Sequence, residues 1–173
     1  SPNVKEREFL TEDELKAVMT HEFADPKLAY IRDLFVFASF TALSFVDIKE
    51  LTNDRIVEVN GEKWIISKRH KTGVPFQVKL LDIPLQIIER YRPFQENNLV
   101  FPNLNYWSIC KPLKKMIREC GVNKGHQLPL LTSWIRYPGP LQGYADRERK
   151  PHFGAYEHRN DPNLCEDYRG EVG

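Results

Sequence analysis

The first part of the chain alternates apolar and polar residues with the period of amphipathic helices. Thr11 and Glu14 have the spacing of a capping box, which predicts a helix that begins directly after Thr11. Residues 26–43 are apolar almost all round, as is typical of a buried central helix, and the proline that opens them suits a first helical turn. Residues 44–52 predict a short third helix with Ser44 as its N-cap.

The period then changes to two. Residues 55–59 and 63–67 alternate apolar and polar side chains around Asn60-Gly61, a dipeptide that is favoured in the tight turns of β-hairpins. Residues 75–81 predict a third strand. Two further helices are predicted over residues 84–91 and 106–120. The expected fold class is therefore mainly α with a small three-stranded antiparallel β-sheet.

Regular patterning ends after Lys124. Residues 125–173 hold six of the nine glycines and five of the twelve prolines, and neither the helical nor the strand period persists there. This segment is rich in Trp, Tyr, Leu, Arg and His, whereas disordered tails are usually rich in Ser, Glu, Gln and Lys. We therefore expect an ordered domain over residues 1–124 and a poorly structured tail over residues 125–173.

Charge and cysteine content limit the kinds of partner, location and cofactor that we expect. Residues 1–124 carry 19 Lys and Arg against 17 Asp and Glu, and the rest carries 6 against 7, so any positive surface must be local. Three cysteines without a CxxC pair indicate reduced thiols and a cytoplasmic location. No apolar run approaches the roughly 20 residues that cross a bilayer, so no membrane partner is expected. The spacings of His126, His152, His158 and Cys165 match no common zinc site, so neither a metal nor another cofactor is expected.

Two short segments could carry chemistry. The predicted turn at the edge of the sheet is strongly basic, with Lys68, Arg69, His70 and Lys71 in succession. These side chains could meet a phosphate backbone, although a solvated turn would have the same composition. The second segment is residues 44–47, for which a helix cap is the structural alternative.

Four motifs along the chain occur together in one enzyme family. They are Phe9-Leu10-Thr11-x-x-Glu14-Leu15, Thr41-Ala42-Leu43-Ser44-Phe45-Val46-Asp47-Ile48-Lys49-Glu50-Leu51-Thr52, Lys71-Thr72-Gly73 between two strands, and Leu99-Val100-Phe101-Pro102. In this order they resemble the catalytic domain of tyrosine recombinases, the phage-integrase family. The resemblance covers about residues 9–124, and it implies that family's mainly α fold. In most members the second motif reads Thr-Gly-Leu-Arg-x-x-Glu-Leu.

The resemblance implies roles for three residues. Ser44 stands where most members have an arginine that contacts the scissile phosphate, and Ala42 stands at the glycine position. A serine there resembles the integrases of conjugative elements, which lack that arginine. Asp47 matches an acidic residue that supports the site without contacting DNA. Lys71 matches the lysine that protonates the leaving 5′-oxygen, a role that suits an ammonium group because it offers both a proton and a positive charge.

The motifs that should follow in this family are absent from residues 125–173 as written. They are His-x-x-Arg, Leu-Gly-His and a tyrosine nucleophile, and no nucleophile is assigned because none of the tyrosines there lies in a motif: Tyr137, Tyr144, Tyr156 and Tyr168. Codons read one base out of frame permit His-Cys-Ser-Arg-His-Gly, then Leu-Gly-His, then Thr-Thr-Gln-Ile-Tyr-Ala, in the family's order. We therefore expect a one-base frameshift near Lys124. A divergent C-terminal tail is the alternative.

The resemblance implies site-specific DNA recombination or integration by a mobile genetic element. The family's tyrosine forms a 3′-phosphotyrosine with DNA, so a chain without it should bind double-stranded DNA without cutting it. Assembly of a homo-oligomer on the DNA is left open. The alternatives are a non-catalytic DNA-binding or regulatory relative and a helical interaction domain with no role on DNA.

Overall fold

Local capping residues determine where the first helix begins. In a computed structural model of the protein, residues 10–70 and 72–122 are described, apart from the side chains at positions 106 and 107. The first helix, α1 (Glu12–Thr20), begins at the predicted capping box. The Glu14 amide donates to Thr11 Oγ1 at 3.2 Å, and the Thr11 amide donates to the Glu14 carboxylate at 2.7 Å. The expectations for residues 125–173 lie outside the described residues.

The second helix, α2 (Pro26–Thr41), forms the centre of the domain. Asp25 caps it by accepting from the Lys27 amide at 2.9 Å, and the proline at its first position needs no amide partner there. Eleven of its sixteen residues are buried, and it packs against α1 and two later helices, α4 (Asp82–Tyr91) and α5 (Tyr106–Glu119). A helix that is apolar on every side is stable only in such surroundings.

The sheet follows a short helix, α3 (Phe45–Lys49). Its strands are β1 (Ile56–Val59), β2 (Glu62–Lys68) and β3 (Pro75–Lys79), all antiparallel in the order β1-β2-β3. Asn60 and Gly61 join β1 to β2 with φ angles of 52° and 77°, as the predicted turn requires. Ile65 and Phe76 connect the inner face of the sheet to the core. The predicted fold class, mainly α with one small three-stranded antiparallel sheet, is confirmed.

Some element boundaries differ from the prediction by a few residues. The third helix ends at Lys49 rather than Thr52, because Thr52 instead forms an isolated antiparallel bridge with Leu99. Helix α4 begins two residues before Pro84, since a proline within the first helical turn removes an amide that would have no helical partner anyway. Helix α5 ends one residue early, and Gly121 follows it with a φ of 75°.

A buried group of charged residues connects the central helix to α4. Asp33 accepts from Arg32 Nε at 2.7 Å, from Arg90 Nη1 at 2.8 Å and from the Tyr91 hydroxyl at 2.5 Å. The Asp33 side chain is 1% exposed, so these donors replace the water that it loses on folding. Within residues 10–70 and 72–122, every helix is too short or too polar to cross a bilayer.

Candidate functional site

The site begins at the end of α2, where the chain turns towards α3. Ala42 closes the helix in a left-handed conformation, with φ 55° and ψ 25°, and its amide donates to the Ala38 carbonyl at 2.9 Å. Ser44 then caps α3: its hydroxyl accepts from the Asp47 amide at 3.2 Å and donates to Asp47 Oδ2 at 2.8 Å. The predicted cap is therefore present, and it already involves both candidate residues of this segment.

The second segment is the connection between β2 and β3, called here the β2–β3 loop (residues 69–74). The Arg69 amide donates to the Val74 carbonyl at 2.9 Å, and the Gly73 amide donates back to the Arg69 carbonyl at 2.8 Å. Gly73 has a φ of 68°, which a glycine adopts without steric cost. These bonds define where the loop begins and ends. Lys71 belongs to this loop in sequence but lies outside the described residues.

The Asp47 carboxylate joins the two segments. Its Oδ2 accepts from Arg69 Nη1 at 2.9 Å, and its Oδ1 accepts from the His70 amide at 3.1 Å. The Asp47 side chain is only 5% exposed. A single buried carboxylate therefore holds the β2–β3 loop against the first turn of α3.

Hydrogen bonding decides the charge state of Asp47. Burial by itself would raise the pKa of this carboxyl group, because water can no longer solvate the charge. The hydrogen bonds from the His70 amide, the Ser44 hydroxyl and the Arg69 guanidinium outweigh burial, and the pKa lies below its ordinary value. Asp47 is therefore a structural anion at neutral pH, and it is not suited to exchange protons with a substrate.

Arg69 is turned inward from the loop. Besides Asp47, its Nη1 reaches the Ala42 carbonyl at 3.3 Å, and its guanidinium carbon lies 4.6 Å from the centre of the Phe76 ring. The side chain is 22% exposed. A guanidinium over an aromatic face gains electrostatic attraction in addition to packing. The guanidinium of Arg69 is therefore fixed next to the start of α3 by contacts within the protein.

Lys68 lies directly before the β2–β3 loop and His70 lies within it, and both residues are exposed. Lys68 is the last residue of β2, pairs with Pro75 across the ladder and is exposed. His70 Nδ1 lies 2.6 Å from Glu50 Oε2, and both of these side chains are about half exposed. The surface of the loop therefore presents a lysine and a histidine, the latter paired with a carboxylate.

The structure brings together most of the residues that the sequence singled out. Ser44, Asp47, Arg69 and His70 share hydrogen bonds within one site, and Lys68 is their direct neighbour. Sequence reasoning did not assign Glu50 or Phe76 to the site, and it did not predict that the Ala42 carbonyl would contact Arg69. Strand alternation indicates that Phe76 points inward, but no sequence signal showed that Arg69 would stack on it.

The described part of the chain contains a cleft that is separate from the site. An open cleft of about 510 Å³ lies between the β1–β2 turn and the start of α4, and it is lined by residues such as Lys63, Lys79 and Asp82 rather than by the site residues. Among the residues that the structure describes, no cluster of His, Cys, Asp and Glu could hold a metal ion.

No family model, curated protein or solved structure matches this chain.

Proposed function

We propose that the chain is the first two-thirds of a tyrosine-recombinase catalytic domain that binds duplex DNA without cutting it. The observation that supports this best is the attachment of the β2–β3 loop to the start of α3 through Asp47. In the resembled family, these two segments meet at the scissile phosphate. Their contact in this chain is what the proposal requires, and the motifs alone did not ensure it.

The backbone at Ala42 gives independent support. In most members of the resembled family a glycine stands at this position, and glycine is the residue that adopts left-handed backbone without cost. Ala42 has a φ of 55°, so this chain uses the conformation for which that glycine is suited. Because helices commonly end in a left-handed residue, this agreement supports the alignment of the motif rather than the DNA partner.

The proposal assigns each basic residue to the DNA face or its support. Lys68, Arg69, His70 and Lys71 form the segment that meets the phosphate backbone, and Lys71 stands where the resembled family has its proton donor to the leaving oxygen. Ser44 replaces the arginine of most relatives and supplies no charge. Without a tyrosine in motif context, the first step of strand exchange, in which the phosphorus–oxygen bond to tyrosine forms as the 5′-oxygen leaves, cannot occur.

Salt-dependent binding tests the DNA partner. The full chain is titrated into a fluorescently labelled mixed-sequence duplex at several salt concentrations, and anisotropy gives the association constant. Its logarithm should fall linearly with the logarithm of salt, by about 0.9 for each phosphate contact. Binding that is absent, or independent of salt, would contradict the proposal and favour an interaction domain with no role on DNA.

Matched lysine variants locate the binding face. Lys68→Gln should weaken binding and reduce the salt slope by about 0.9, because one phosphate contact is lost. Lys27→Gln is the control: Lys27 is also exposed but lies in the first turn of α2, at the opposite end of that helix from the site. If both variants change binding to the same extent, the site is not the DNA face.

Two further observations separate the catalytic lineage from a regulatory relative. A nicked suicide duplex traps covalent protein–DNA intermediates, and we expect this chain to form none. The coding DNA beyond codon 124 should encode His-x-x-Arg, Leu-Gly-His and a tyrosine in the adjacent reading frame. If it does not, a non-catalytic DNA-binding relative accounts for the chain better than a frameshift.

A further inference from the structure

Arg69 and Lys68 are neighbours in the chain, but the structure gives them different surroundings. We propose that Arg69 is a positioning residue that fixes the β2–β3 loop, and that Lys68 is the cation of this pair that contacts phosphate. This division of labour rests on the proposed DNA-binding function. It predicts that the two substitutions weaken DNA binding in measurably different ways.

Among the residues that the structure describes, the contacts of the Arg69 side chain are directed into the protein. Its guanidinium bridges the Asp47 carboxylate, at 2.9 Å, and the carbonyl that ends α2, at 3.3 Å, while the Phe76 ring covers it at 4.6 Å. A guanidinium can satisfy such a set at once because it is planar and carries several donors in fixed directions. The side chain thereby ties the loop to α2, α3 and β3 together.

The backbone of Arg69 closes the same loop. Its amide bonds to the Val74 carbonyl and its carbonyl accepts from the Gly73 amide, at 2.9 and 2.8 Å. The next residue, His70, donates its own amide to Asp47 at 3.1 Å. A change in the Arg69 side chain would therefore release a carboxylate that also orients the backbone of the loop.

Contact between Arg69 and DNA would carry a penalty that Lys68 does not have. Turning the guanidinium outward would leave the Asp47 carboxylate, which is 5% exposed, without its charged partner. Lys68 is exposed at the end of its strand, and within residues 10–70 and 72–122 it has no such contact to give up. A mobile ammonium on a flexible stem is a normal phosphate ligand.

The salt dependence of binding separates the two roles. For Arg69→Gln we expect duplex affinity to fall by roughly tenfold at constant salt while the salt slope stays that of the wild type, because the number of phosphates contacted is unchanged. For Lys68→Gln the slope itself should fall by about 0.9. A slope reduced by about 0.9 in Arg69→Gln would overturn the proposal, as would unchanged affinity.

A conservative variant provides a second test. Arg69→Lys keeps the positive charge but cannot bridge the carboxylate and the carbonyl while stacking on the ring. We expect it to bind duplex DNA as weakly as Arg69→Gln. Full rescue by lysine would mean that only the charge matters, which contradicts a positioning role.

Whether Arg69 fixes the β2–β3 loop can also be measured in the absence of DNA. Amide hydrogen exchange at His70 should speed up by roughly tenfold in Arg69→Gln relative to amides in α2, because the loop is then held to the Asp47 carboxylate by the His70 amide alone. Phe76→Leu removes the ring beneath the guanidinium but keeps the charge, and it should give the same two signatures if Arg69→Gln does not fold. If neither variant alters exchange at His70 relative to α2, Arg69 does not position the loop. Absence of duplex binding by the wild-type chain would instead refute the proposed function.

Discussion

At the scale of single residues, two residues of the site depart from what is usual for their type, one in backbone conformation and one in charge state. Ala42 adopts a left-handed backbone although alanine is the strongest helix former, and Asp47 keeps its charge although its side chain is buried. The sequence predicted that Ser44 caps the third helix, and the structure adds Asp47 to that cap. The sequence could not predict that Arg69 would reach the same carboxylate, because that contact exists only after the sheet folds onto α3.

The conformation of Ala42 leads to a stability prediction. Ala42→Gly should stabilise the protein by about 0.5–1 kcal/mol, because relief of the left-handed strain exceeds the extra chain entropy that glycine brings to the unfolded state. Urea unfolding gives the difference in free energy. Ala17→Gly, at an exposed position inside α1, is the control, and it should destabilise by about 1 kcal/mol. Loss of stability in Ala42→Gly would contradict the assigned strain.

Asp47 should make stability depend on pH. Its pKa is lower in the folded than in the unfolded state, so its contribution is complete above the unfolded-state pKa of about 3.9 and is lost as the pH falls through the folded-state value. Asp47→Asn should therefore cost about 1–3 kcal/mol at neutral pH and progressively less in acid. Urea unfolding of both proteins across this pH range measures the difference. A difference that stays constant with pH would show that charge is not its cause.

At the scale of elements, local sequence signals were sufficient for most of the fold. The capping box before α1, the proline that opens α2 and the Asn-Gly turn each act within a few residues, so the pattern predicts them directly. The element boundaries that differ from the prediction depend on residues that are distant in the chain. Thr52 leaves the predicted helix because Leu99, far along the chain, pairs with it in a β-bridge. Such pairings cannot be inferred from local periodicity.

The turn between β1 and β2 can be tested without disturbing packing. A Cβ added at Gly61 would meet no atom within 4 Å, so the cost of Gly61→Ala comes from its φ of 77° alone. We expect Gly61→Ala to lower the free energy of unfolding by about 1 kcal/mol. Asn60→Gly, whose φ is also positive, should be close to neutral by the same measurement. Equal losses in both variants would mean that side-chain contacts, rather than backbone strain, stabilise this turn.

At the scale of the whole molecule, α2 organises both the core and the site. Its apolar faces pack against α1, α4 and α5, and Ala42, the residue that follows it, accepts from Arg69 of the site. Its two buried charged residues, Arg32 and Asp33, were not predicted to form a network, since the pattern showed only a nearly apolar helix. Their partners come from other elements: Arg32 donates to the carbonyls of Met19 and His21, while Asp33 accepts from α4. The network therefore fixes the arrangement of three helices.

This network leads to the largest stability effect that we predict. Asp33→Asn removes the charge that compensates Arg32 and Arg90 in a region where the Arg32 side chain is only 6% exposed. Removing one partner of a buried ion pair typically costs about 3–5 kcal/mol, since the remaining charge is left without compensation. Glu89→Gln is the matched control, because it breaks the pair with Arg92 in which both side chains are more than half exposed, and it should change stability by less than about 1 kcal/mol. Urea unfolding of the two variants measures both effects. If Asp33→Asn costs no more than the surface control, the packing of α1 and α4 on α2 is maintained by apolar contacts alone.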